Sequence, residues 1–353
     1  MKTKAKILIC YNSPVSIYPV YNGKPTDDGG KINDLSESGF ANEIKKIKQS
    51  VQNHFTNVES LPIDKNVAEV IKQINLSAPD IIFNFVESVE GVSSYEYCMT
   101  GLFELLGYNY TGNEPSTLGN CLNKARTKNI LYSYGINTPR YFTISRDDKV
   151  SERNFKLNFP VILKLLNEDA SIGISEFSVV ANFRDFKKQL QFLFETYNQT
   201  IIVEEFIEGR ELNVAILGNQ VLPISEIIFN GLPSNLPQIV TYDGKWIEGS
   251  VYYNYTKPNC PAKLAIKTKK RIETTALAAY HAMNCRDYAR VDIRLNKKNI
   301  PYVIEVNPNP DISTDSGFAR AAAAAGINYE KLLSTIAGLA LARKTNDTQN
   351  QAV

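Results

Sequence analysis

Histidine is almost missing from this chain: His54 and His281 are its only two. A histidine-built metal centre and a Ser-His-Asp hydrolase are disfavoured at once, and both residues read as ordinary packed or half-exposed positions. The five cysteines, Cys10, Cys98, Cys121, Cys260 and Cys285, stand far apart with no Cys-x-x-Cys pair, so neither a zinc ribbon nor a disulfide framework is written in them. They read as reduced. Charge of one sign is not in excess either: 39 basic against 37 acidic residues leave +2, which removes the bulk electrostatic case for nucleic acid or an anionic membrane as partner. No apolar run approaches the ~18 residues that span a bilayer. The lysine-led start is followed by an apolar stretch, residues 7–11, too short for a secretion signal. A soluble, cytoplasmic protein is expected. Gly-x-x-x-x-Gly-Lys and Gly-x-Gly-x-x-Gly are both absent, so any nucleotide must be held by another device.

What is present is chain enough for two to three domains, 353 residues with 43 % hydrophobic and 22 % charged. Residues 7–11 and 81–86 read as buried strands and 58–61 as a weaker one, alternating with helices over 35–54, 66–74 and 95–106. That alternation predicts a parallel α/β sheet, with Glu87 and Glu90 just past the carboxyl end of its third strand, where such sheets place ligands. A loop is expected over 22–30. A capped helical stretch over 113–135 leads to a boundary near Pro139. Strands are then expected at 160–165, 201–206, 211–217, 220–228, 289–295 and 302–306, with helices over 183–197, 262–283, 319–325 and 329–342. The aromatics Tyr252, Tyr253 and Tyr255 fall in a loop-like region. The last residues, 344–353, are polar and expected to fray.

Three clusters carry chemistry. In the first, Asp292 on one strand and Glu305 and Asn307 on the next share a face by two-residue alternation, a set of hard oxygen donors suited to Mg²⁺ or Mn²⁺. The plain alternative is strand-end charges paired with Arg290 or Arg294. The second is Lys164 inside the apolar strand 160–165, followed by a small-residue turn over 167–174. A lysine there is costly unless it meets an anion, and the turn can offer backbone N–H groups to phosphate; an edge-strand lysine with a surface hairpin is the alternative. The third, residues 203–211, sets glutamates and free backbone groups at a strand end, suited to a ribose or an exocyclic amine but commonplace alone.

In order and spacing these clusters, with residues 105–113 and Asn123-Lys124, resemble the ATP-grasp superfamily and, within it, the D-alanine-D-alanine ligase branch, over roughly residues 80–341. The resemblance implies an ATP-grasp fold: an N-terminal Rossmann-like parallel-sheet domain over 1–112, a central lobe over 113–206, a C-terminal lobe over 207–343 and a flexible tail over 344–353. It implies ATP and two Mg²⁺ or Mn²⁺ ions as cofactors. Lys124, Lys164 and Lys245 take the places of phosphate lysines, and Ser171 with the backbone of Ile172-Gly173 that of the phosphate-covering loop. Glu204, Glu205 and Ile207 take the nucleotide-base positions, Glu211 that of the ribose acceptor and Ile304 that of a further cofactor contact. Asp292, Glu305 and Asn307 are the implied metal ligands. Arg290 and the Asp311 backbone are the implied oxyanion stabilisers, and Ser316 the substrate-carboxylate serine.

The implied reaction is amide-bond formation: a carboxylate attacks the γ-phosphate to give an acyl phosphate, and an amine displaces phosphate. The departures concern the substrate. The acid, serine and tyrosine that orient the first amino acid in the family are replaced by residues 12–15, Ala170 and Trp246. The His-Gly turn after the third strand becomes residues 87–91, the oxyanion glycine becomes Asp311, and Gly317 follows Ser316. Asp27, Asp28 or Glu87 are candidates for the missing acid. An amino acid or small peptide other than the D-alanine pair is therefore expected as substrate, with a true D-alanine-D-alanine ligase and a non-catalytic ATP-binding module as alternatives. Homodimerisation is left open.

Overall fold

A computed structural model of the chain describes residues 2–25, 34–38 and 40–350, leaving aside the side chains of 37–42 and 344–350. The first elements are β1 (Thr3–Asn12), α1 (Leu35–Ser38), α2 (Phe40–Gln52), β2 (Phe55–Ile63), α3 (Val67–Ser77), β3 (Ile81–Phe85) and α4 (Tyr95–Leu105). Their strands pair in parallel in the order β2-β1-β3. Alternation sends Ile7, Ile9, Ile81 and Phe83 to one core with Ile44, Ile47 and Val51 of α2, and Leu8, Cys10 and Ile82 to another with Val70, Ile74, Met99 and Phe103. Burial on both faces is why these strands read as unbroken apolar runs. The expected loop at 22–30 is seen only as far as Pro25; Asp27 and Asp28 lie outside the described residues.

α5 (Pro115–Leu122) and α6 (Lys124–Ser133) come next. Asn123 caps α6, its side-chain oxygen accepting from the Arg126 N–H at 2.9 Å, which fixes Lys124 in the first turn. Cys121, Leu131 and Ile136 bury themselves in the core of the C-terminal sheet, so this stretch joins two lobes rather than standing in one. The central lobe holds β4 (Tyr141–Ile144), β5 (Val161–Leu165), β6 (Val179–Val180), α7 (Phe183–Thr196) and β7 (Ile201–Glu205), an antiparallel sheet ordered β4-β7-β5-β6. Val161, Leu163, Leu165, Ile201 and Val203 pack on Phe186 and Leu193 of α7, which turns Ile162, Lys164 and Glu204 to the opposite face.

The C-terminal lobe contains β8 (Gly209–Leu217), β9 (Gln220–Val221), β10 (Ser225–Ile228), α8 (Tyr242–Trp246), α9 (Val251–Tyr255), β11 (Lys257–Asn259), α10 (Ile266–Ala282), β12 (Tyr288–Asn296), β13 (Pro301–Asn307), α11 (Gly317–Ala324) and α12 (Tyr329–Asn350). Its antiparallel sheet runs β11-β10-β8-β12-β13, with α10 laying Ile272, Ala276 and Ala279 on Leu212, Val214, Val291 and Ile293. Leu332, Leu333 and Ile336 of α12 reach back to the core of the N-terminal sheet.

Three expectations are corrected. Residues 220–228 form two strands, because Pro223 between them has no N–H to continue a ladder. Tyr252, Tyr253 and Tyr255 belong to α9, not a loop: the Ser250 hydroxyl accepts from the Tyr253 N–H at 3.0 Å and caps a helix too short to show an apolar period. The final helix continues past residue 343 to Asn350, into the segment expected to fray. Among the described residues, no helix is long and apolar enough to cross a membrane.

Candidate active site

The unburied faces of the two antiparallel sheets line one cleft of about 810 Å³. Strand register builds its C-terminal wall. On β12 and β13, Arg290 stands opposite Asn307 and Asp292 opposite Glu305, as alternation along the sequence requires; on β8, Asn213 lies beside Asp292 and Glu211 beside Arg294. The register shifts after Asp292, so Ile304 is the extra residue of a bulge. Ile304 and Glu305 therefore both line the cleft, while Val303 and Val306 remain in the core.

The charges on this wall satisfy one another. Arg290 makes a two-pronged contact with Asp292 at 2.8 Å, and the amides of Asn213 and Asn307 donate to the same carboxylate at 2.7 and 3.0 Å. The plain alternative of a strand-end ion pair thus describes part of what Asp292 does. Glu211 pairs with Arg294 at 2.8 Å, and Arg294 also donates to the Ile207 carbonyl at 3.0 Å. Glu305 lies 3.0 Å from the Lys124 ammonium, which also reaches Asp169 at 3.1 Å. Burial alone would raise the Glu305 pKa, but Lys124, Lys164 and Lys245 outweigh it and bring it down to about 2. Burial pushes Asp169 up to about 6, with Lys124 opposing and Glu305 adding to the rise.

The opposite wall is built on one buried acid. Glu204 of β7 is paired on one oxygen with Lys128 of α6 and on the other with Lys164 of β5, both at 3.2 Å. Lys128 and Glu204 are each only 1 % exposed, so the pair sits in low dielectric; burial lowers Lys128 to about 8. Lys128 escaped the sequence reading, although it lies one turn beyond Lys124 on the same helix face. The expected contacts of Glu205 and Ile207 are partly taken within the protein: the Glu205 N–H donates to the Arg140 carbonyl at 2.9 Å, and the Ile207 carbonyl is held by Arg294.

The turn over 167–174 closes one end. Ala170 and Ser171 both adopt left-handed φ, 53° and 62°, a strained arrangement that curls the turn over the cleft. Its backbone is less available than expected. The Ile172 N–H donates to Asp169 and the Gly173 N–H to the Tyr21 carbonyl, at 3.0 and 2.8 Å. Gly173 is met there so closely by Gly23 that a Cβ on Gly23 would fall 2.3 Å from the Gly173 oxygen. Lys245 on α8 lines the cleft, its pKa lowered by burial and by the neighbouring positive charge of Arg290. Beside it the Trp246 indole N–H donates to the Ala170 carbonyl at 3.1 Å.

The N-terminal sheet supplies the third side. Glu87, Ser88 and Glu96 line the cleft, and Asn12 at the end of β1 is spent on the protein, donating to Ser88 at 3.4 Å and accepting from the Glu87 N–H at 3.2 Å. Asp311 is exposed at the cleft and accepts from the Ser313 N–H at 2.8 Å. Ser316 caps α11, its hydroxyl oxygen accepting from the Ala319 N–H at 3.1 Å, so its O–H remains a donor at the helix start. His281 is exposed on α10 against Tyr280, and neither it nor His54 lines the cleft. Among the described residues no group of three or more His, Cys, Asp and Glu side chains is placed to hold a metal. The expected set has only two acids and an amide, and its donor chemistry, all oxygen on adjoining strands, fits a hard cation with open positions for phosphate and water.

A parallel-sheet domain followed by two antiparallel lobes that face each other across lysines and carboxylates defines an ATP-grasp protein. A family model described as D-ala D-ala ligase C-terminus matches residues 130–337. Among curated relatives, the D-alanine–D-alanine ligase of Carboxydothermus hydrogenoformans is 32 % identical over 295 residues, 81 % of this chain and 88 % of that protein. An uncharacterised protein, y4sG, of Sinorhizobium fredii is 30 % identical over 260 residues, 74 % of each chain. The solved D-alanine–D-alanine ligase of Bacillus anthracis complexed with ATP superposes with a TM-score of 0.73 over 97 % of this chain and 99 % of that one at 22 % identity, a likeness of fold. The chain belongs to the D-alanine–D-alanine ligase family of ATP-dependent carbon–nitrogen ligases.

Proposed function

We propose that this protein joins the carboxylate of an amino acid or small peptide to an amine, through an acyl phosphate made from ATP, and that its substrates are not the D-alanine pair. The observation that carries the specificity is the contact between Trp246 and Ala170. In the ligases it resembles, a tyrosine and a serine at these places join an acid around the first substrate's amino group. An indole N–H donates only, and alanine has no polar side-chain atom, so neither of these two side chains can accept from an ammonium. Asn12 carries no charge and is committed to Ser88 and Glu87.

The nucleotide lies, on this reading, between the two sheets, its base against Ile162, Ile207 and Ile304 and its ribose at Glu211. Lys124, Lys164 and Lys245 hold the phosphates. Asp292, Glu305 and Asn307 would hold Mg²⁺ or Mn²⁺, which supplies positive charge against the transferring phosphoryl group. A carboxylate oxygen of the substrate attacks the γ-phosphorus and the bond to ADP breaks. The amine then adds to the acyl carbon, phosphate leaves with the C–O electrons, and the amine gives up a proton. Arg290 and the Asp311 N–H stabilise the oxyanion between these events. No residue need form a covalent bond to substrate.

ATP-dependent phosphate release screened over pairs of amino acids, with mass detection of products, tests this. Amide product from a pair other than D-alanine with D-alanine is expected. Efficient D-alanyl-D-alanine synthesis would favour the second reading, a D-alanine–D-alanine ligase proper, which the names of the relatives support. The retained Arg290, Asp292, Glu305 and Asn307 argue against a non-catalytic module.

A further inference from the structure

The segment that follows β1 reaches across to both antiparallel lobes and carries a lysine that the nucleotide and metal positions leave unused. The Lys24 ammonium lies 2.6 Å from Asp243 Oδ2 of α8 and 3.1 Å from Glu176 Oε2, just past the 167–174 turn. One cation of the N-terminal domain thus holds an acid from each of the other two lobes. The cluster is shielded, with the Asp243 side chain 9 % exposed and those of Glu176 and Lys24 23 % and 26 %. Burial by itself would lower the Lys24 pKa, but Asp243 and Glu176 outweigh it and raise it, so the amine stays charged. The second Asp243 oxygen is buried and accepts no hydrogen bond among the described residues, which leaves that acid dependent on Lys24. Backbone contacts follow the same path: the Ser175 hydroxyl donates to the Gly23 carbonyl at 2.9 Å, and the Tyr242 N–H to the Ile174 carbonyl at 3.0 Å. Residues 21–24, the end of the turn and the start of α8 therefore form one joint.

The joint carries groups of the cleft on both sides. Ser171 stands two residues before Gly173, and Lys245 two residues after Asp243; both line the cleft. Residues two apart on a helix do not face the same way, so α8 gives its acid to Lys24 and its lysine to the cleft. Resting on the ligase reading above, we propose that Lys24 is a positioning residue for the reaction: by clamping Asp243 to Glu176 it holds Lys245 and Ser171 over the phosphates and keeps water from the acyl phosphate. Lys24 itself stands outside the cleft lining and acts through these neighbours. Without it, two acids within reach of one nitrogen would face each other as like charges, pushing α8 away from the turn. An acyl phosphate then has a second fate. Water in place of the amine adds to the acyl carbon, phosphate leaves with the C–O electrons, the water gives up a proton, and the free acid returns.

Phosphate release and amide formation, measured side by side on the pair that the product screen identifies, separate the two fates. The wild-type chain should make close to one amide per phosphate. Lys24→Met should lower kcat roughly 10- to 100-fold, the scale on which a small misplacement of reacting groups costs rate, with KM for the acid little changed. It should also yield at least roughly 2-fold less amide per phosphate, since water now enters. Lys24→Arg keeps the charge and should recover most of both losses. Asp243→Asn cuts the clamp from the side of α8 and should move the ratio in the same direction, which covers the case in which Lys24→Met fails to fold. An unchanged ratio in folded Lys24→Met, or in Asp243→Asn where Lys24→Met does not fold, would overturn the clamp and leave the ligase reading standing. So would a loss that Lys24→Arg does not recover. No ATP-dependent amide from any pair with the wild-type chain would overturn both.

Discussion

The Lys124 ammonium and the Glu305 carboxylate lie 3.0 Å apart, so a residue expected to hold phosphate and a residue expected to hold metal neutralise each other. A second pair, Arg290 with Asp292 at 2.8 Å, likewise neutralises an expected metal ligand. ATP with its cations would substitute for these contacts one by one, and the mutational consequences follow from which partner is left behind.

Glu305→Gln should lower turnover by at least roughly 100-fold, the scale on which a metal's charge stabilises a transferring group. Lys124 keeps Asp169 as a partner, so the melting temperature should change little. Asp292→Asn should cost as much turnover. Steady-state phosphate release at saturating Mg²⁺, with thermal melting beside it, checks both; near-normal turnover in the two variants would remove the metal assignment.

Lys164→Ala should weaken ATP binding by about 1.5–3 kcal/mol, the range for hydrogen bonds to charged groups. Its partner Glu204 keeps Lys128, so the fold should survive. Calorimetric titration with a non-hydrolysable ATP analogue reads the loss directly. Unchanged affinity would place the phosphates elsewhere.

Lys128 gives a pH signature. Its pKa is lowered to about 8 in the folded chain, against an ordinary lysine value near ~10.4 when unfolded. Between these values the unfolded chain binds the extra proton, so this group adds stability as pH rises through about 8. Lys128→Met should abolish that rise. Denaturant unfolding of both proteins at pH 7 and pH 10 measures it, and a difference between them that is the same at both pH values would contradict the assignment.

The sheets and the face of Asp292, Glu305 and Asn307 were legible because alternation and apolar runs report register. Glu305 and Ile304 facing the cleft together was not written in that alternation, since a bulge leaves no mark in composition, and Ile304 was reached only through the family resemblance. Lys128 and Lys24 were missed for a related reason: each is a single charge in an otherwise ordinary stretch, and only the tertiary approach of Glu204, or of Glu176 and Asp243, gives it meaning. The short helices α8 and α9 carry too few residues for a period to show. The engagement of Gly173 with Tyr21 lies between segments some 150 residues apart, beyond any local pattern.

The central claim is that a substrate carboxylate is phosphorylated before the amine attacks. It is tested most directly by supplying the best acid from the product screen with ¹⁸O in its carboxylate, together with ATP, the amine and Mg²⁺, and analysing the phosphate by mass spectrometry. Transfer of one labelled oxygen into inorganic phosphate, with ADP as the nucleotide product, is the predicted result. Unlabelled phosphate accompanying amide formation, or label recovered in AMP, would contradict the account.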